Sequence, residues 1–442
     1  MHVETDTIAA IATPSGKGGV GVVRVSGALV EQIALQILKK LPKPRQVLFN
    51  RFYAADDSVL DEGIALYFPA PHSFTGENIL ELQGHGGVVI MDLLLRRVLE
   101  CGARLARAGE FSERAFLNNK IDLVQAEAIA DLIDSASAQA AKCALRSLQG
   151  DFSKHIHHLV EKLTYLRVFV EAGIDFSDEE IDVLADGEIK RQTLELVSQI
   201  NHLLDQAKQG YLLREGLHLV IIGKPNVGKS SLLNKLAQRE TAIVTDIPGT
   251  TRDLIRESIH LDGLPLHITD TAGLRDTNDP VEQEGIRRAR QALQTADVVL
   301  LMCDDREELL PEMPENLPSN CHVLMIRNKC DLSEQAAGFV NDKELRLSVK
   351  QNQGLNELKE WLKACVGFHQ NEGVFMARRR HLDALEKALV HLEQTLEQID
   401  LKNSELIAEE LYQAQRLIGE ITGQVSADDL LGKIFSTFCI GK

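Results

Sequence analysis

Cysteine is scarce. The 442 residues hold seven, an odd number, scattered along the chain and never spaced as C-x-x-C. That excludes a disulfide framework and a cysteine-rich zinc site, and fits a reducing, cytoplasmic setting. Taken singly, each cysteine reads as a small buried hydrophobe. No apolar run approaches the roughly 20 residues of a membrane span. The opening "MHVETDTIAA" lacks the basic-then-apolar order of a secretory signal. The closing "CIGK" has the cysteine of a prenylation box, but its third residue is glycine rather than aliphatic, lysine is not a usual last residue, and no polybasic run precedes it. Basic residues are outnumbered, leaving a formal net charge of -17. A protein that coats nucleic acid through bulk charge is thereby disfavoured. RNA held by a local patch, or through a more basic partner, stays open. There are no internal repeats and no long low-complexity segment.

What is present is a soluble, globular composition, 44% hydrophobic and 26% charged. The chain is too long for one core, and length suggests about three domains. Residues 1–118 mix strand-like runs ("GVGVVRVSG", "GIALYFP") with a helix-like "GGVVIMDLLLRRVLECGA" stopped by glycine, an α+β or α/β module. Residues 119–213 turn helical, from "LVQAEAIADLIDSASAQAAKCALRSLQG" through "LVEKLTYLRVFVEAGIDF" to a third stretch beyond an acidic connector near Asp178. From 214 to 374, strand-like and helix-like segments alternate in the rhythm of a doubly wound domain. Residues 375–442 return to long helices. Neither helical flank is long enough for a comfortable core, so the two are expected to pack together with the α/β segment inserted between them.

Within that segment, "GKPNVGKS" (Gly223 to Ser230) fits G-x-x-x-x-G-K-[ST], follows the apolar "LHLVIIG" and opens "SLLNKLA". Strand before and helix after is the setting of a phosphate loop. Backbone N–H groups of Asn226, Val227, Gly228, Ser230 and Ser231 and the helix N-terminus would cradle phosphates. Lys229 would reach the β and γ phosphates, and Ser230 would hold magnesium. "DTAG" (Asp270, Thr271, Ala272, Gly273) follows "LPLHIT", with Asp270 placed to reach magnesium through water. "NKCD" (Asn328, Lys329, Asp331) follows "CHVLMIR". The Asp331 carboxylate accepts guanine's ring N–H and amino group, whereas adenine would leave it poorly paired. "SVK" (Ser348, Val349, Lys350) sits where a base-contacting loop belongs. Between the first two elements, "TAIVTDIPGTTRD" offers Thr250 and Thr251 as switch threonines, Thr251 for magnesium.

Hydrolysis needs a water-orienting group, and the position after D-x-x-G that often carries glutamine is Leu274. Asp276, Asp279, Glu282 and Glu284 are nearby candidates, and Arg252 or Arg275 are conceivable arginine fingers. Spacing does not choose among them. Upstream, Gly16-x-Gly18-x-x-Gly21 is a formal dinucleotide fingerprint, but a strand-like run follows where a helix is required. It also imitates a phosphate loop, with Val22 and Val23 where Lys and Ser/Thr would stand. It reads as a turn between strands.

These motifs, with "SFTGE", "ELQGHGG", "GEFSERAFLNNK" and the closing "FCIGK", resemble the tRNA-modification GTPase family called MnmE or TrmE over essentially the whole chain. The resemblance implies a folate-binding-like N-terminal α/β domain that also forms the homodimer (1–118), an all-α domain in two parts (119–213, 375–442), and an inserted GTPase domain (214–374). It implies potassium activation, with the ion held by Asn226, Thr245, Ile247 and Thr250, and Glu282 orienting the water. Pro248 departs from the small, flexible residue expected in that loop; it fixes φ and removes an N–H, but costs no ligand if carbonyls hold the ion. Arg24, Glu81, Lys120 and Lys442 match folate-contacting positions, for 5-formyl- or methylene-tetrahydrofolate. Arg24 also stands out from the residues alone, since it interrupts "VVRV".

The implied function is GTP hydrolysis coupled to placing an aminomethyl or carboxymethylaminomethyl group on carbon-5 of the tRNA wobble uridine. A flavoprotein partner, MnmG or GidA, in a heterotetrameric or larger complex, would supply FAD and NADH. The rival is a ribosome-assembly GTPase that binds RNA without modifying it. Arg378, Arg379 and Arg380 read equally as an RNA contact or a solvated hinge. The family places the tail at the folate site, anchored by Phe435, Phe438 and Ile440, with Gly441 allowing close approach. Cys439 then has two roles open: a thiolate acting on the uridine, or a packed residue beside the folate.

Overall fold

The computed structural model describes residues 6–135, 137–175, 187–237, 257–270, 291–307, 321–368 and 373–424, with 311, 313, 314, 317–319, 431, 434–436, 438 and 441. They form two compact units. One comprises Met1–Ala130, Ser147–Leu196 and Lys387–Lys442; the other comprises Asp131–Arg146 and Val197–Glu386.

In the first unit six strands form one sheet: β1 (Ile8–Ile11), β2 (Gly21–Ser26), β3 (Leu48–Tyr53), β4 (Val59–Phe68), β5 (Ile79–Gly84) and β6 (Arg104–Leu105), in the order β3-β4-β5-β2-β1-β6. Only β1 and β6 pair parallel; the other neighbours are antiparallel, so the α+β form of the module is the one observed. The run after the Gly16–Gly21 turn is indeed a strand, β2, which removes the dinucleotide reading. Strand alternation sends Val23, Val25, Leu80 and Leu82 to one face. There they pack under α1 (Val30–Leu38) and α2 (Val88–Glu100) through Ile33, Ile37, Met91 and Leu94. The same alternation turns Arg24 to the opposite face, across from Ala10 on β1 and Glu81 on β5. That face is closed by Phe111 of α3 (Glu110–Leu117), packed with Ile8, Ala10 and Ala106.

Helices complete this unit: α4 (Leu123–Ile133), α6 (Asp151–Asp175), the start of α7 (Glu188–Glu215), and the helix Ser404–Thr422, which lies along α6. Helical segments from both flanks of the α/β segment therefore pack on each other. Phe435, Phe438 and Leu431 join Leu123 and Ala126 in one apolar cluster. Gly109, at φ +68°, makes room for them, because a Cβ there would stand 2.5 Å from the Phe435 carbonyl oxygen.

The helical run read from residue 123 to 150 breaks in two, α4 and α5 (Ala138–Leu148). Ser135 donates back to the Asp131 carbonyl at 2.6 Å, and the Ser137 hydroxyl accepts from Ala140 N–H at 3.1 Å, capping a new start. Short hydroxyl side chains compete with the helix ladder in this way.

The second unit holds a seven-stranded sheet: β7 (Leu217–Gly223), β8 (Glu257–Leu261), β9 (Leu264–Asp270), β10 (Val298–Asp304), β11 (His322–Asn328), β12 (Gly338–Asn341) and β13 (Glu344–Leu347). The order is β12-β13-β11-β10-β7-β9-β8, parallel except for the two edge pairs. A parallel sheet covered on both faces needs continuous apolar strands, and β10 is buried at every position. Leu300 and Met302 face α8 (Lys229–Ala237) and the helix Leu355–Cys365, while Val299 and Leu301 pack with Leu293 and Ala296. Because β9 and β10 flank β7 on opposite sides, the strand order reverses at β7. Ligands bind outside the carboxyl ends of strands at such a point.

Where the chain leaves this sheet, residues Val374 to Ala377 are buried. Gly210 of α7 lets them approach so closely that a Cβ would lie 1.9 Å from the Phe375 carbonyl oxygen. Asp131, 8% exposed, bonds both Arg214 (2.9 Å) and Arg378 (2.7 Å), tying the segments that lead into and out of the sheet.

Candidate functional site

Every element read from the sequence as nucleotide-binding that lies among the described residues stands at or just beyond the carboxyl end of a strand of the second sheet. The 223–230 loop follows β7, Asp270 ends β9, Asn328 ends β11, and Ser348 follows β13. The loop turns at Asn226 (φ +64°) and Gly228 (φ +106°). Gly223 abuts β10, where a Cβ would stand 2.3 Å from the Met302 carbonyl oxygen. At Gly228 a Cβ would stand 2.3 Å from Asn328 Nδ2. Lys229, almost buried, donates from Nζ to the carbonyls of Gly223 (2.8 Å) and Lys224 (3.1 Å), so its ammonium lies inside the loop it serves. Val227 is buried, while Asn226, Ser230 and Ser231 are exposed.

Asn328 ties two loops together. Its Nδ2 donates to the Val227 carbonyl at 2.8 Å, and its Oδ1 accepts from Val349 N–H at 3.1 Å. Lys329 donates to the Asn226 carbonyl and to Asp304 Oδ2, both at 2.9 Å. Asp331 Oδ1 accepts from the Ser348 hydroxyl at 2.6 Å, which orients the carboxylate and leaves its other oxygen available. An ionised carboxylate is an acceptor only, so this group suits a base edge made of donors. Lys350 is exposed.

Sequence reasoning missed the turn after β10. Arg306 donates to both oxygens of Asp304 (2.9 and 2.8 Å), and Lys329 adds a third bond. With Arg306 the larger cause, these bonds hold the carboxyl well below the usual carboxylate range, against the opposing effect of burial. Glu307 Oε2 accepts from Lys224 at 2.6 Å. The only sequence signal was a pair of acidic residues ending an apolar run, "VVLLMCDD".

In the first unit, Arg24 Nε and Nη2 contact Glu81 Oε1 at 3.0 and 2.9 Å, a cross-strand pair that is half-buried. The guanidinium carbon lies 5.8 Å from the Phe111 ring centroid and 6.0 Å from that of Phe74. Its Nη1 also donates to the Gly441 carbonyl at 3.4 Å. Gly441 (φ +99°) is seated on the end of β1, where a Cβ would be 2.5 Å from the Ile11 carbonyl oxygen. Thus the chain's own tail reaches Arg24. Lys120 is exposed, its stem lying along Gly76. The neighbouring Thr75 and Glu77 bond the Ser26 hydroxyl at 2.7 Å each. The motif residues Glu77 and Glu110 are joined through Arg114, which donates to Glu77 (3.1 Å) and Glu110 (3.1 Å). Of the arginine triplet, Arg378 is committed to Asp131, while Arg379 is exposed and paired with Asp383 at 2.8 Å.

Thr245, Ile247, Pro248, Thr250, Thr251, Thr271, Ala272, Gly273, Glu282, Cys439, Ile440 and Lys442 lie outside the described residues, as does the side chain of Asp270. No helix among the described residues is long and apolar enough to cross a membrane.

Two family models match the chain: "GTP-binding protein TrmE N-terminus" over residues 7–120 and "MnmE helical domain" over residues 123–439. The chain is 56% identical to the tRNA modification GTPase MnmE of Proteus mirabilis over 455 residues, covering 100% of both chains. It is also 56% identical to that of Hydrogenovibrio crunogenus over 445 residues, covering 99% of each. Among solved structures, Era of Aquifex aeolicus bound to GDP and aluminium fluoride is 24% identical, covers 39% of this chain and 65% of that one, and has a TM-score of 0.26, too low to bear on the fold.

Proposed function

The chain belongs to the MnmE family of tRNA modification GTPases, and from that premise we propose that its GTP hydrolysis is potassium-activated and drives modification of carbon-5 of the wobble uridine. What supports the nucleotide reading most is the convergence of the 223–230, Asn328–Asp331 and Ser348 loops on the carboxyl edge of one parallel sheet. The positive-φ turn and the bare Gly228 suit a backbone cradle for phosphates. Lys229 carries charge to the β and γ phosphates. Asp331, held by Ser348, selects guanine. Ser230 and Thr251 hold magnesium, which neutralises phosphate charge. Asn226, with Thr245, Ile247 and Thr250, holds potassium, and Glu282 orients the attacking water.

The N-terminal residues fit a folate. Arg24 and Glu81 set a donor fork beside an acceptor, with Phe74 and Phe111 near the guanidinium. That combination matches the polar edge and flat ring of a pterin. Lys120 and Lys442 extend the set toward anionic groups. The folate supplies a one-carbon unit, and Cys439, on the tail that Gly441 seats beside Arg24, is the candidate thiolate toward the uridine. We assign FAD and NADH to a flavoprotein partner, MnmG, and dimerisation to the N-terminal domain, within the division 1–118, 119–213, 214–374 and 375–442. A hydrolysis assay tests the core of the reading. GTP should be cleaved far faster in potassium than in sodium, and ATP hardly at all. Equal rates in the two salts would remove the potassium site, and equal use of ATP would remove the role of Asp331.

A further inference from the structure

We propose that Asp304 is a positioning residue for nucleotide binding, acting through Lys329 on the phosphate loop; the inference rests on reading residues 223–230 and Asn328–Asp331 as nucleotide loops. Asp304 ends β10, the strand beside β7, and is 6% exposed. Its Oδ2 and the Asn226 carbonyl are the two acceptors of one ammonium, Lys329 Nζ, each at 2.9 Å. A lysine with one fixed acceptor still samples many rotamers; a second, charged acceptor holds the side chain in one place. The ammonium then pins the carbonyl at the tip of the phosphate loop.

The surrounding turn is built for the same end. Arg306 clamps both Asp304 oxygens, so the carboxylate cannot rotate away from Lys329. Glu307 bonds Lys224 at the start of the phosphate loop. Asp305 N–H donates to the Asn328 carbonyl at 2.8 Å, and the Asp305 carboxylate accepts from Arg346 at 3.2 Å. Asp304, Asp305 and Glu307 therefore link this turn to the phosphate loop and the Asn328–Asp331 motif, and Asp304 is the one whose link to the phosphate loop runs through Lys329.

The test measures dissociation of fluorescent GDP from the full chain carrying Asp304→Asn, Lys329→Gln, or both. The amide of Asp304→Asn keeps an acceptor but loses the charge, so the off-rate should rise about tenfold, the size of a charge-assisted bond. At saturating GTP the turnover should change less than twofold, a KM effect with kcat kept. The double variant should release GDP no faster than Lys329→Gln alone, since both act through one ammonium. A wild-type off-rate for Asp304→Asn, or a double variant whose effect is the product of the singles, overturns the proposal. Asp304→Ala is made in parallel, so that whichever variant folds, by its thermal unfolding, decides. Failure of the wild-type chain to bind GDP would instead overturn the reading of the nucleotide loops.

Discussion

Gly210→Ala offers a case in which local propensity and packing give opposite signs. Gly210 is buried within the helix Glu188–Glu215. In an ordinary helix interior, alanine is better than glycine by about 0.8–1.0 kcal/mol. Here the added Cβ would sit 1.9 Å from the Phe375 carbonyl oxygen, 3.0 Å from its carbon and 3.1 Å from the Ala377 nitrogen. All three are backbone atoms of a buried segment, so no rotamer change relieves the contact, and the helix and the 374–377 segment must part by about an ångström. Phe375, Val374 and Met376, each at most 3% exposed, would lose close packing along that seam. Overpacking of this kind costs about 1–3 kcal/mol. A backbone-to-backbone clash belongs at the upper end, so the net effect is about 2 kcal/mol of destabilisation. For a unit of this size that lowers Tm by about 4–8 °C. Calorimetry on the full chain reads this directly. A Tm equal to or above wild type would refute the packing argument and leave helix propensity as the deciding term.

Two further outcomes follow from the first unit. Gly441→Ala should weaken folate binding about tenfold by calorimetric titration while leaving GTP hydrolysis unchanged, because a Cβ would strike the Ile11 carbonyl and pull the tail off Arg24; unaltered folate affinity would detach the tail from that site. His85 should titrate above its ordinary 6.5, since the Asp61 hydrogen bond at 2.7 Å stabilises the imidazolium and in turn lowers the Asp61 pKa. The histidine's contribution is complete below 6.5 and is lost as pH rises through the folded value; the aspartate's is present above 3.8 and is lost as pH falls through its lowered value. A proton NMR titration checks it, with Asp61→Asn returning His85 to its ordinary range.

The candidate nucleotide site was legible because its chemistry is local. "GKPNVGKS" between an apolar strand and a helix carries its own context. The burial of β10 on both faces was likewise written in an unbroken apolar run. Arg24 announced itself as a charge inside such a run, although its partners Glu81 and Gly441 are 57 and 417 residues away and only strand register and the returning tail bring them together. Asp304 was not legible: an acid ending a strand resembles a solvated one until Lys329 and Arg306 close on it. The break between α4 and α5 was hidden for the opposite reason. Ala-rich periodicity continues across it, and only the side-chain bonds of Ser135 and Ser137 terminate one helix and start the next.

Under the proposed function, this GTPase serves modification of the wobble uridine rather than assembly of another RNA particle. Nucleoside mass spectrometry of tRNA from a deletion strain, complemented with the wild-type chain or with Lys229→Ala, tests it most directly. The carbon-5 (carboxymethyl)aminomethyl nucleosides should vanish on deletion, return with the wild-type chain, and stay absent with Lys229→Ala. Wobble uridines that keep their modification in the deletion strain would contradict it.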